Sequence, residues 1–324
     1  MPAVSAIIPT YNRAAFLKEA MASIQAQTFT DWELIVVDDG STDATREVVQ
    51  AVQRRDPRVR YLFQSNRGGA EARNAALERA SGSLVAFLDD DDTWLPEKLA
   101  RQVAVMTHAP ERVGLVACGA YPIAASGECL EAEWPDFGGL PPLKVLLRVG
   151  CVIRSLSGVM VRRSCVERVG RLNAAYRVTN DYEWYLRLAR IYDFLIMPEP
   201  LYQYRYHPGN ISGNGPEVRR QLIQLLEGVT PGADWLSRHV LYRRLALLHY
   251  ESAAAAVDRL AWAQAAWHCG RAIAHDPLVG ARIRWGRWAN PVYRTIRPYG
   301  ALLYFTWASL RESPATTTSA HAKR

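Results

Sequence analysis

What the chain lacks narrows the field first. Its five cysteines (Cys118, Cys129, Cys151, Cys165 and Cys269) stand singly in 324 residues with no Cys-x-x-Cys pair. That spacing argues against a disulfide framework and a cysteine zinc site, and for reduced thiols in a cytosolic protein. No apolar run approaches the roughly 20 residues that span a bilayer, so the chain reads as soluble or peripheral. The first residues enter a strand-like run, Val4–Ile8, without a signal-peptide pattern. An apolar content of 49% with 22% charged residues is that of a globular protein and excludes general disorder. The excess of positive charge is moderate, +7. It favours phosphate-bearing ligands or an anionic membrane surface; charge alone does not distinguish these from nucleic acid, which is not an expected partner.

What is present is a regular alternation. Short apolar runs at Val4–Ile8, Glu33–Val37, Val59–Phe63, Leu84–Leu88 and Gly114–Cys118 predict buried strands. Between them, Ala14–Ala26, Asp43–Arg54, Ala70–Ala80 and Pro96–Thr107 carry helical spacing, with Leu17, Met21 and Ile24 forming one stripe in the first. The pattern predicts an α/β fold with a mainly parallel sheet flanked by helices. Residues 121–152 are rich in Gly and Pro and yield no clear elements. A strand at Gly158–Val161 follows, then Ser164 and Glu167 at capping-box spacing, a helix over Asp181–Ile191, and short strands at Phe194–Met197 and Leu201–Tyr206. Beyond a Gly/Pro/Asn loop at Pro208–Pro216 the pattern is purely helical to about residue 275. Leu245–Leu260 and Trp262–His275 resemble a helical hairpin, and the Thr/Ser/Ala-rich tail from Ala315 predicts disorder.

In such sheets, ligands bind beyond the carboxyl ends of the strands. Three polar clusters fall there: Pro9-Thr10-Tyr11-Asn12, Asp38-Asp39-Gly40-Ser41 and Asp89-Asp90-Asp91-Asp92. Four adjacent carboxylates repel unless solvated, hydrogen-bonded or paired. A hard divalent cation of the Mg²⁺ or Mn²⁺ kind would relieve them, and such ions also hold substrate phosphates. The alternative is an Asp-rich polar loop capping the helix near Pro96. In the second cluster, Ser41 or Thr42 can cap a helix with Asp43 in its first turn. Asp38 and Asp39 are left over, and their place suits hydrogen bonds to a nucleoside.

These motifs, joined by Ser23-Ile24-x-x-Gln27-Thr28, Asn66-Arg67-Gly68, Ala72-Arg73-Asn74 and Thr93-Trp94, resemble those of the family 2 glycosyltransferases over residues 3 to about 212. The resemblance implies a GT-A (Rossmann-like) fold and inverting transfer of a sugar from a nucleotide-sugar, most often a UDP-sugar, to an acceptor hydroxyl. It implies base and ribose contacts for Thr10, Tyr11 and Asp39, with Arg73 near the nucleotide. Asp89 and Asp91 match the two acidic positions of an Asp-x-Asp motif that holds Mn²⁺ or Mg²⁺, Asp91 as the direct ligand, with Asp90 towards the ribose or donor sugar. Four aspartates in a row allow that register to shift by one. Asp181 matches the base that takes the acceptor's proton, although Asn180 stands where an acidic residue is usual. If Asn180 caps the helix, Glu183 closes a capping box and is structural, leaving Asp181 free. Tyr204-Arg205-Tyr206-His207 resembles a family element in which His207 reaches the metal or diphosphate and Arg205 neutralises phosphate; plain exposure of His207 is the alternative.

The expected organisation is a GT-A domain over 1–212 (1–120 the nucleotide half, 121–212 the acceptor half), a helical extension over 213–314 and a disordered tail over 315–324. Residues 281–311 hold six arginines among Trp285, Trp288, Tyr293, Tyr299, Tyr304, Phe305 and Trp307, with no acidic residue. That composition fits either an anionic membrane face or an ordinary helix with solvated arginines. Expected partners are the nucleotide-sugar and a glycan or lipid-linked acceptor, and the expected place is the cytoplasm, at the inner membrane face if the tail binds lipid. A sugar nucleotidyltransferase is a rival, but it would carry a Gly-rich loop where this chain has Pro9–Arg13. A non-catalytic sugar- or nucleotide-binding module would have lost the base or the metal aspartates.

Overall fold

The computed structural model describes residues 1–210, 215–229, 235–257, 259 and 261–276. The chain divides into two compact units, Met1–Gly213 and Asn214–Arg324.

In the first unit, β1 (Val4–Thr10) and β2 (Trp32–Asp38) are buried at every position. Near-continuous apolar runs take that form when helices cover both faces of a sheet. β3 (Val59–Phe63) and β4 (Leu84–Phe87) lie outside them, all four parallel, in the order β3-β2-β1-β4. Crossovers α1 (Ala14–Gln25), α2 (Thr45–Gln53) and α3 (Gly69–Leu77) join them. α1 buries Leu17, Ala20, Met21 and Ile24, the expected stripe. Because the chain leaves β1 towards β2 on one side and β4 lies on the other, a crevice opens at the carboxyl ends of β1 and β4.

The sheet continues through β5 (Thr93–Trp94), β6 (Val113–Ile123), β7 (Val159–Arg162) and β8 (Asp193–Arg205) to the order β3-β2-β1-β4-β7-β6-β8-β5. β7 runs antiparallel to β4 and β6, and β5 antiparallel to β8. The sheet is therefore mixed but mainly parallel, flanked by helices as expected. The two short strands expected at 194–206 are one strand. Its Pro198 and Pro200, which cannot donate to a ladder, sit where the β6–β8 register is irregular between Ile196 and Pro200. α4 (Lys98–His108) follows β5, and the segment without clear elements contains α5 (Pro142–Arg148).

Three capping expectations need correction. α2 begins at Thr45, and neither Ser41 nor Thr42 caps it. Asp43 lies ahead of it, accepting from the Thr45 N–H and hydroxyl and, through its other oxygen, from the Ala14 N–H at the start of α1. α6 (Arg163–Val169) is preceded by Arg162, so Ser164 lies inside the helix and Glu167 pairs with Arg163. α7 (Asn180–Leu188) is preceded by Thr179, not capped by Asn180, and Glu183 binds Arg187 one turn on. In each case a nearby arginine or a second helix end offered the carboxylate a better partner than its own first turn.

Buried Glu33 ties the lower sheet together. It accepts from the Ser5 hydroxyl, from the Ser81 N–H and hydroxyl, and from Arg60. Burial would raise its pKa, but these donors outweigh burial and hold it at about 2.

In the second unit, α9 (Trp235–Val257) packs against both α8 (Gly215–Gly228) and α10 (Trp262–His275), with Ala246 of α9 and Ala272 of α10 fully buried. Among the described residues, no helix is long and apolar enough to cross a membrane. The basic-aromatic segment 281–311 and the tail 315–324 lie outside the described residues.

Candidate active site

The crevice at the carboxyl rim holds a cavity of about 360 Å³. One wall comes from the β1–β4 half through Pro9, Thr10, Tyr11, Asp39, Asn66 and Arg73. The other comes from Arg154, Ser155, Leu156, Arg177, Asn180 and Asp181, and Asp89, Asp90 and Asp91 lie with them in the same lining. Register explains the gathering: Thr10 pairs with Asp38, and β1 pairs with β4 up to Ile7 and Phe87, so the loops after all three strands open at one level.

The loops are locked before any ligand arrives. Asn12 has a positive φ of 53°, which asparagine tolerates better than most residues. Its side-chain carbonyl accepts from the Thr42 N–H and hydroxyl, and its own N–H donates to Ser41. Asp39 accepts from Gln64 and from the N–H groups of Arg67 and Gly68, which fixes the loop before α3. Gly40 must be glycine: its φ is +87°, and a Cβ there would meet the Asn66 nitrogen at 2.8 Å.

The four aspartates separate into distinct roles. Asp89 pairs with Arg73 and accepts from Ser155. Asp90 accepts from the Thr10 hydroxyl at 2.8 Å and from Arg13 at 2.9 Å. Burial and the neighbouring Asp91 raise its pKa to about 6 despite Arg13. Asp91 accepts from Arg13 at 2.5 Å and meets His207 Nε2 at 2.9 Å. Asp92 is 1% exposed and turned inward. It accepts from the Ser157 hydroxyl and the Arg205 N–H, so it staples the turn before β7 to β8. Burial, then Asp89 and Asp91, raise its pKa well above the carboxylate norm.

Oxygen atoms of Asp89, Asp91 and Asp92 lie within 4.8 Å of one another. Carboxylates alone at that spacing make a hard donor set, which fits a divalent Mg²⁺- or Mn²⁺-type ion and not a soft one.

Asp181 sits in the first turn of α7, facing the cavity. Burial raises its pKa to about 6, opposed by the Tyr182 N–H and by Arg73. A carboxylate so desolvated is a stronger base than one in water yet stays largely ionised at neutral pH.

Of the residues singled out in the sequence, Thr10, Tyr11, Asp39, Arg73, Asp89, Asp90, Asp91 and Asp181 all line this one cavity. His207 is not an exposed loop residue: its ring stacks on Phe16 and bonds Asp91. Arg205 lies apart from them. Its guanidinium pairs with Glu19 and covers Phe16, so it is spent on α1 and is absent from the cavity lining. Trp94 and Trp184 are buried packing residues. The sequence reading missed Arg13, which bridges Asp90 and Asp91, and the serines at 155 and 157. Arg13 was adjacent to a quoted motif and offered the only signal; the serines offered none.

An eight-stranded mixed sheet with a nucleotide-type crevice and an acidic cluster at its rim defines the GT-A class of fold. Residues 5–135 match the family model described as "Glycosyl transferase family 2". A Campylobacter jejuni protein, "GalNAc(5)-diNAcBac-PP-undecaprenol beta-1,3-glucosyltransferase", is 46% identical over 102 residues, 31% of this chain and 33% of its own length. The crystal structure of Staphylococcus aureus TarS 1-349 in complex with UDP-GlcNAc superposes with a TM-score of 0.63 at 17% identity, covering 95% of this chain and 91% of that one. The mannosyltransferase PcManGT from Pyrobaculum calidifontis, in complex with GDP-Man and Mn²⁺, gives 0.59 at 21% identity over 97% and 81%. The likeness to glycosyltransferase family 2 rests on residues 5–135, and the likeness of fold extends over nearly the whole chain. The chain spans between 32% and 42% of the length of the first curated relatives it matches.

Proposed function

We propose that this chain is an inverting, metal-dependent glycosyltransferase that moves a sugar from a UDP-sugar to a hydroxyl of a glycan or lipid-linked acceptor. One observation carries the reading: Asp39, Asp89 to Asp91 and Asp181, from two loops and the first turn of α7, line a single cavity. Thr10, Tyr11 and Asp39 hold the base and ribose, while Arg73 and Asp90 lie beside the nucleotide. Asp91 and Asp89 would hold the ion, and His207 orients Asp91 through its 2.9 Å contact. A bound Mn²⁺ or Mg²⁺ offsets the negative charge that develops on the leaving diphosphate. Asp181 accepts the proton of the acceptor hydroxyl as that oxygen bonds to the anomeric carbon. The bond from that carbon to phosphate breaks on the opposite face, and its electron pair leaves with the nucleoside diphosphate. Configuration at the anomeric carbon therefore inverts.

The bound UDP-GlcNAc of the TarS structure supports a uridine donor. The undecaprenol diphosphate in the Campylobacter relative's name supports a lipid-linked acceptor. With such an acceptor, the proposed place of action is the cytoplasm, at the inner face of the membrane. Thermal denaturation with Mn²⁺ and a panel of nucleotide-sugars tests the donor half of this reading. A ligand at 100 times its Kd stabilises a protein by about 2.7 kcal/mol. The wild type should show a Mn²⁺-dependent rise with UDP-sugars that Asp91→Ala lacks. A rise that is equal in the variant, or confined to non-uridine donors, contradicts it.

A further inference from the structure

The second unit holds a cluster that the transfer reaction does not use. Glu227 closes α8, His249 lies midway along α9, and His275 ends α10, with His268 two turns earlier on the same helix. Nitrogen and oxygen atoms of Glu227, His249 and His275 lie within 4.8 Å of one another. The His249 side chain is 0% exposed and its Nε2 stands 3.6 Å from Glu227, too far for a hydrogen bond. That Nε2 and the Nε2 of His275 are buried without a partner. Two orphaned buried nitrogens in one cluster are costly, and a buried polar atom without a partner calls for a water or an ion.

The surroundings favour the ion. His249 Nδ1 lies 3.0 Å from His268 Nδ1, so one of the two must carry a hydrogen. If His249 carries it, its Nε2 lone pair points at Glu227 and His268 becomes the outer partner that fixes the ring. Metal-bound histidines almost always have such a partner. His275 stacks parallel to His249 at 5.6 Å and is backed by Tyr242, so neither ring turns freely. Arg271 is the one opposing charge. It pairs with Oε1 of Glu227, the oxygen that also faces His249 Nε2, and holds the carboxylate in place.

We infer that Glu227, His249 and His275 form a site for a divalent transition ion of the Zn²⁺ class, clamping α8, α9 and α10 together. Two imidazoles and one carboxylate suit zinc, which takes nitrogen at about 2.0–2.1 Å and carboxylate oxygen at about 2.0–2.2 Å, with water as fourth ligand. The site differs in chemistry from the all-carboxylate cluster of the first unit, which selects hard ions.

The test uses the full chain, stripped with chelator, desalted and titrated with Co²⁺ and then Zn²⁺. Tetrahedral Co²⁺ on imidazole absorbs strongly in the visible, whereas Co²⁺ on carboxylates and water alone absorbs weakly, so the two units are read apart. The wild type should develop the strong bands with one equivalent, lose them to one equivalent of Zn²⁺, and gain thermal stability from Zn²⁺. Glu227→Gln should weaken Zn²⁺ binding tenfold or more, and His275→Gln should abolish the bands. Both lie in terminal helical turns, and far-UV circular dichroism checks their folding should His249→Gln fail to fold. Absence of strong bands in the wild type, or equal binding in folded Glu227→Gln and His275→Gln, overturns the inference.

Discussion

At the scale of single residues, the site is a problem of where negative charge is tolerated. Asp92 is closed in by Ser157 and the Arg205 backbone, Asp90 by Thr10 and Arg13, and only Asp89 and Asp91 combine exposure to the cavity with close spacing. Asp181 is set apart by burial. Its native pKa of about 6 lies above the unfolded value of about 3.9, so the native state binds the proton more tightly. The group's contribution to stability is thus complete below about pH 4 and is lost as pH rises through 6. Asp181→Asn, which never ionises, should match the wild type in urea denaturation near pH 4 and exceed it by about 2 kcal/mol at pH 8. A gap that is constant with pH would show that the carboxyl is not desolvated. The sequence exposed Asp39, Asp89 to Asp91 and Asp181 because each stands at the end of a readable strand or the start of a helix. It hid Ser155, Ser157 and the Glu19 partner of Arg205 because those contacts join residues 65 to 186 positions apart and leave no local pattern.

At the scale of elements, periodicity revealed β1 to β4 and their helices with ends correct to within three residues. Burial on both faces produces long apolar runs that are hard to misread. It missed β5, whose two residues are too few to show alternation, and α5, whose Pro142 and Gly-rich approach read as loop. Caps failed for a common reason: Glu183 has Arg187 and Asp43 has two helix ends, and tertiary partners override the first turn. Glu33 is the polar feature on which the parallel sheet depends most. Its native pKa of about 2 lies below its unfolded value, so its stabilisation is present above about pH 4.5 and lost as pH falls towards 2. Glu33→Gln should lower stability at pH 7 by about 2–3 kcal/mol in chemical denaturation, with the difference closing at pH 2–3. An unchanged midpoint at pH 7 would mean that Ser5, Ser81 and Arg60 repack without it.

At the scale of the whole molecule, the order of strands was not written in the sequence. Nothing local told that β7 would insert antiparallel between β4 and β6, yet that insertion brings Ser155, Arg177 and Asp181 to the rim opposite Thr10 and Asp39. The second unit was legible as helices, but its histidine cluster was not, since Glu227, His249 and His275 are separated by 22 and 26 residues. The basic and aromatic stretch 281–311 predicts attraction to anionic lipid. Cosedimentation with phosphatidylglycerol vesicles should fall when the chain ends at Pro277; binding equal to full length would remove that role.

The central claim is that one cavity carries both the ion-holding aspartates and the base. Its most direct test is the transfer rate with the UDP-sugar found by thermal denaturation, using wild type, Asp181→Asn and Asp91→Ala. General-base catalysis contributes roughly 10²- to 10⁴-fold, so Asp181→Asn should lose at least about 10² in kcat while still binding donor. Asp91→Ala should lose both turnover and Mn²⁺-dependent donor binding. Wild-type rates in both variants would contradict the account.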